Sequence, residues 1–281
     1  MPTSHAFIQQ APHSVAAWAA CFDDRQLPVL ASTARQLESW RAIEDQVDAH
    51  LLAESLSTDP LFTLKLLAFV ARLRRGREGS EPETVTEALV MIGITPFFNA
   101  FGPQPTVEAQ LAEQPEALAG FQAVLRRSHR AAQFAYGFAL QRGDHDAAVI
   151  HQAALLHDFA ELLLWLRAPG LALQLAARQR AEPTLRSSAV QSELLHVELV
   201  DVQHALMLAW RLPALLVRIT DEHLVNPTAQ LRNVQLAIRV ARHSTQGWDN
   251  PALPDDVHDI AQLLQMSSEP TLQLLQQIDA D

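Results

Sequence analysis

Apolar residues recur along this chain at intervals of three and four, and no Val/Ile alternation with hairpin turns appears anywhere. That period marks helices that hide one stripe of their surface. A short helix is predicted from Ser14 to Ala20. A second follows Leu27-Pro28, with Leu30, Ala34, Leu37 and Trp40 in register, and a third covers Val47 to Leu56. At Thr58-Asp59-Pro60 the signal is sharper: Asp59 can cap, and Pro60 takes the first helical position, where its missing N–H costs nothing. Leu61, Phe62, Leu66, Phe69, Val70 and Leu73 wrap more than half of that helix, which places it near the centre of a bundle. Gly76 to Ser80 reads as a turn, and Ser80-x-x-Glu83 as a capping box before a helix over Val85–Ile92 that Gly93 ends. Residues 1–13 carry no period and read as a loose arm.

Three prolines, Pro103, Pro105 and Pro115, punctuate the stretch after the short apolar piece Pro96–Phe101. Longer helices are predicted beyond them. One runs from Leu118 to Gln141, carries His129 and breaks at Gly143-Asp144; the next runs from Asp146 to Leu166 and carries His157-Asp158. Two more flank Leu212-Pro213, one covers Leu231 to Ser244, and a last pair spans 254–265 and 268–279. The fold class is all-α, a multi-helix bundle. Its expected parts are an arm and short helix over 1–26, an N-terminal helical part over 27–102, a connector over 103–117, a helical core over 118–245 and C-terminal helices over 246–281.

Composition narrows the partners. The formal net charge of −11 argues against general attraction to nucleic acid or an anionic membrane, which need a positive surface. Local basic strips at Arg72, Arg74, Arg75 and Arg77, and at Arg126, Arg127 and Arg130, read as solvated helix ends. A single cysteine, Cys21, excludes an internal disulfide and fits a reducing compartment. No charged-then-apolar leader opens the chain, and no uncharged run approaches the ~20 residues that span a bilayer. The expectation is a cytoplasmic protein with no membrane partner.

Candidate chemistry gathers at one place. Leu155-Leu156-His157-Asp158-Phe159 sets a histidine and an aspartate inside an otherwise apolar helix, where unpartnered polar groups are costly. Ile150, Ala154, His157, Glu161 and Leu164 share one stripe, and Asp158 lies about 100° around the axis. With His129 from the preceding antiparallel helix at matching height, the pair reads either as a hydrogen-bonded core cluster or as ligands of one divalent cation. His204 and Trp165 read as helix-face and core residues. No phosphate loop, zinc-type cysteine pair or serine nucleophile elbow is present.

Several segments, in order, resemble a known family. They are Leu27-Pro28-Val29-Leu30, Asp59-Pro60-Leu61-Phe62-Thr63-Leu64-Lys65-Leu66-Leu67, Val85 to Gly93, Ser128-His129, the pentad around His157-Asp158, and Trp210-Arg211-Leu212-Pro213 followed by His223. Together they are similar to the HDOD domain, a bacterial output domain related to the HD metal-dependent phosphohydrolases. The resemblance implies an N-terminal helical subdomain packed on an HD-like helical core, and a regulatory rather than enzymatic role. In catalytic relatives a His, a His-Asp pair and a later Asp hold the metal. His129, His157 and Asp158 match the first three, whereas the later Asp falls near Val240-Ala241, where this chain has Arg242. The glycine and lysine common after the His-Asp pair are Ala160 and Glu161; a further histidine falls on Leu199 and a glycine on Gln203.

The resemblance therefore implies a non-catalytic signalling module acting through protein–protein contact, its polar cluster either a structural relic or a small-ligand pocket, with another signalling protein or a second copy as partner, and no cofactor. With no receiver, kinase or cyclase region attached, signalling is expected to require association in trans. Two alternatives stay open. One is a metal-dependent phosphohydrolase of nucleotides or cyclic dinucleotides, with Fe, Mn or Zn at His129, His157 and Asp158 and Glu161 as a further carboxylate. The other is a non-hydrolytic nucleotide sensor, with Arg126, Arg130 or Arg242 meeting phosphate and Trp210 and His223 lining a pocket.

Overall fold

The computed structural model describes residues 6–75, 81–182, 185–221 and 227–280. In chain order the helices are α1 (Val15–Ala19), α2 (Ala31–Arg41), α3 (Ala49–Leu56), α4 (Pro60–Leu73), α5 (Val85–Ile92), α6 (Ile94–Ala100), α7 (Val107–Gln110), α8 (Pro115–Arg142), α9 (Ala147–Leu156), α10 (Phe159–Arg167), α11 (Pro169–Ala181), α12 (Ser187–Leu195), α13 (Leu199–Ala209), α14 (Ala214–Ile219), α15 (Ala229–His243), α16 (Leu253–Leu264) and α17 (Ser268–Ala280). Extended pairing among the described residues amounts to an isolated bridge between Val29 and Thr106. The fold is all-α. It divides into two compact units, one formed by Met1–Ala123 and Phe159–Pro213, the other by Val124–Asp158 and Ala214–Asp281.

In the first unit, α4 is the central helix that its wrapped apolar pattern requires, with Leu61, Phe62, Leu64 and Leu66 wholly buried. Asp59 starts it. One carboxylate oxygen accepts from the backbone N–H groups of Leu61 at 2.9 Å and Phe62 at 3.1 Å, and the other accepts from Leu30 N–H at 2.7 Å. A cap on one helix thus also fixes the entry to α2. Lys65, on the same helix, donates from Nζ to Leu27 O at 2.9 Å and Gln104 Oε1 at 2.6 Å. Burial pushes its pKa down to about 8, against the pull of Asp24 and Asp59.

Several expectations change. Ser80 lies outside the described residues, and the residue that caps α5 is Thr84, whose hydroxyl accepts from Glu87 N–H while Glu87 reaches back to Glu83 N–H. The capping pattern therefore sits one turn later than read. Residues 6–13 are not a loose arm, since Ile8 N–H donates to Arg167 O at 2.7 Å. Residues 169–181 and 187–195 form α11 and α12, which the apolar pattern does not predict. Leucine and alanine are interleaved there with glutamine, arginine and serine, leaving no continuous apolar stripe to see. Finally, the single helix expected over 146–166 is two helices, α9 and α10, separated at His157-Asp158.

The second unit holds the later part of α8 together with α9 and α14–α17. Gly143 ends α8 with φ +70°, a conformation glycine adopts freely. At Gly137, a side-chain carbon would stand 2.5 Å from Ile278 Cδ1, so α17 seats in a notch that glycine leaves on α8. By length and composition, residues 147–167 could cross a membrane. Of that apolar window 83% is buried in the fold, as expected of core helices.

Candidate functional site

The break in the helix creates the site. His157 N–H donates to Ala154 O at 3.3 Å, a three-residue reach that tightens the end of α9 and turns the chain before Phe159. Both polar side chains of this turn are buried, His157 at 8% and Asp158 at 9% exposure. Two buried polar groups side by side must find partners within the protein.

They do so within the second unit. Asp158 Oδ2 accepts from Arg127 Nε at 2.9 Å and from its Nη2 at 2.7 Å. Asp158 Oδ1 accepts from Arg242 Nη2 at 2.9 Å and faces His157 Nδ1 at 3.0 Å. The carboxylate is thus held between a guanidinium from α8 and one from α15. Burial by itself would raise the carboxyl's pKa. Arg242 first, then Arg127 and the His157 hydrogen bond, hold it instead well below the usual 3.8. An ionised carboxylate can only accept, so the proton of the His157–Asp158 bond sits on Nδ1.

The sequence pattern makes Arg127 a solvated residue of a basic strip. It is instead mostly buried, at 20% side-chain exposure, and spent on Asp158. The signal in the sequence was its place two residues before His129, and it could not show which acid would meet it. Arg130, one turn further along α8, was a candidate for phosphate. It donates to Asp279 from Nε at 2.7 Å and Nη2 at 2.9 Å, and to Ser244 Oγ at 2.8 Å and Ala241 O at 3.2 Å. Its guanidinium holds α17 and the end of α15 against α8, and its geometry is that of an internal cross-link.

His129 is half-buried on α8, and its charge adds to burial in lowering the pKa of His151, on α9, to about 4. His151, which the sequence did not single out, also meets the Tyr136 ring edge to face at 5.9 Å. Glu161 and Trp210 belong to the first unit, where Trp210 closes α13 and stacks on Phe159 at 5.8 Å. His223 lies outside the described residues.

Can these residues hold a divalent ion? A centre on His129, His157 and Asp158 needs the Asp158 lone pairs, and those face Arg127, Arg242 and His157. Among the described residues, no group of three or more His, Cys, Asp or Glu side chains stands together as a ligand set. As arranged, the donor set does not fit a metal.

Comparison with known proteins bears on this geometry. The HDOD domain family model matches residues 27–225. No curated protein matches the chain by sequence. Among solved structures, the MmoQ response regulator from Methylococcus capsulatus str. Bath aligns with TM-score 0.67 and 19% identity, over 89% of this chain and 98% of its own. A virulence factor from Campylobacter jejuni subsp. jejuni aligns with TM-score 0.62 and 16% identity, over 89% of each chain. At such identities the likeness is one of fold.

Proposed function

This chain belongs to the HDOD domain family, and we propose that it is a non-catalytic regulatory module of bacterial signalling. In this reading it works in the cytoplasm by binding another signalling protein or a second copy of itself, and needs no cofactor. One observation carries the non-catalytic part: the carboxylate beside His157 is committed to the guanidinium groups of Arg127 and Arg242. A hydrolytic metal centre works by an ion that lowers the pKa of a bound water. Two cations at hydrogen-bond distance from the shared carboxylate oppose such an ion by repulsion and compete for the same lone pairs. The fold-level likeness to a protein named as a response regulator supports the signalling part by analogy.

The test is direct. The protein is purified from medium supplemented with manganese, iron and zinc, then assayed for bound metal and for hydrolysis of nucleotides and cyclic dinucleotides. The reading expects substoichiometric metal and no turnover above a heat-denatured control. Stoichiometric metal with turnover abolished by His157→Ala would replace it with the phosphohydrolase alternative.

A further inference from the structure

We infer that Arg127 and Arg242 form a built-in counter-cation for Asp158, one that does the cross-linking a divalent ion does in an imidazole–carboxylate centre and keeps such an ion out. The inference concerns what holds the second unit together, and it stands whether or not a partner protein is found.

Three observations carry it. First, the Asp158 carboxylate is buried, and a lone buried carboxylate is expensive. Its charge must be balanced locally. Second, the balancing groups come from separated parts of the chain. Arg127 stands on α8 and Arg242 on α15, with Asp158 at the end of α9, so one carboxylate joins three elements. That is the topology of a metal cross-link. Third, the contacts divide the carboxylate cleanly. Arg127 takes Oδ2 through two N–H groups, and Arg242 shares Oδ1 with His157 Nδ1. A cation arriving at this carboxylate meets positive charge on both sides.

The two arginines differ in kind. Arg127 is mostly buried, with 20% side-chain exposure, and fixed by two bonds, whereas Arg242 is about half exposed at 49% and bonded through a single nitrogen. Arg242 is therefore the removable half of the balance, and the residue on which exclusion of a metal turns. The neighbouring end of α15 is held independently, because Arg130 binds Ala241 O and Ser244 Oγ on either side of it. Replacing Arg242 should leave α15 in place.

A charge cycle and a metal titration test this together. Arg242→Gln should lower the melting temperature by about 4 °C or more, since a partly unpaired buried charge remains. Asp158→Asn alone should cost more than Arg242→Gln, because it leaves the mostly buried Arg127 guanidinium without its carboxylate. The combined variant should lose less than the sum of the two, because both changes remove the same Asp158–Arg242 pair. Chelator should change neither wild type nor variants. Cobalt(II), followed by its visible absorption, should bind Arg242→Asp at least tenfold more tightly than wild type, and the added His157→Ala should abolish the gain. Circular dichroism confirms that each variant is folded. Strict additivity in the charge cycle, a chelator-sensitive wild type, or a folded Arg242→Asp that takes up no more cobalt than wild type would each overturn the inference. Hydrolysis by the wild-type protein would sink the non-catalytic reading instead, so the two failures are told apart.

Discussion

Gly120 on α8 lies directly against the indole of Trp165 on α10: a β-carbon at position 120 would stand 2.4 Å from the ring. Glycine inside a long helix costs roughly 1 kcal/mol relative to alanine. Here it leaves the space that a buried, rigid side chain requires. Gly120→Ala is therefore expected to destabilise by about 1–3 kcal/mol despite the better helix propensity of alanine, because the ring has no flexible end to yield. Urea unfolding measures it. A stabilised variant would mean that Trp165 can shift without penalty.

Asp59 gives a second expectation. Its carboxylate accepts from Leu30, Leu61 and Phe62 N–H groups in a wholly buried setting. Asp59→Ala leaves those donors unsatisfied and should cost about 2–3 kcal/mol. Asp59→Asn keeps an accepting oxygen and should cost less. Equal losses for the two variants would show that charge rather than acceptance matters.

Acid sensitivity should trace in part to His151. Burial first, and then the charge of His129, lower its folded pKa to about 4 from the ordinary 6.5. With the folded value below the unfolded one, the unfolded chain takes the proton first as pH falls. The stability this residue allows is complete above pH 6.5 and is lost progressively toward pH 4. His151→Gln should flatten the pH dependence of the urea midpoint across that window. The same slope in wild type and variant would remove His151 from the account.

Lys65 acts in the opposite range. Its folded pKa of about 8 lies below the usual 10.5. Between those values the unfolded chain holds a proton that the folded protein has released, so this residue adds stability as pH rises from 8 to 10.5. Below pH 8 its full cost is present. Compared with Lys65→Met, wild type should gain in urea midpoint between pH 8 and pH 10. A parallel pH dependence in the two proteins would contradict this.

Much of this molecule was legible along the chain, where each signal and its consequence are local. Asp59-Pro60 opens a helix because cap and first turn are neighbours in sequence, and Gly93 ends α5 because its positive φ is a property of one residue. The all-α class followed from periodicity for the same reason. The stretch that holds α11 and α12 interleaves its leucines with polar residues and carries no such signal, and its helices are settled by what they pack against.

The site divides in the same way. From its own letters the chain determined that a histidine and an aspartate sit together in an apolar run, and that Arg242 stands late in the sequence where an acid was looked for. Only the tertiary structure decided that Asp158 is balanced by Arg127 and Arg242, that Arg130 closes on Asp279, and that the helix breaks to let this happen. The physical reason is reach. Helical periodicity shows which side of a helix turns inward, whereas the charge that answers a buried carboxylate can come from 31 or 84 residues away. That choice is made by desolvation and packing in the folded chain, and no local pattern records it.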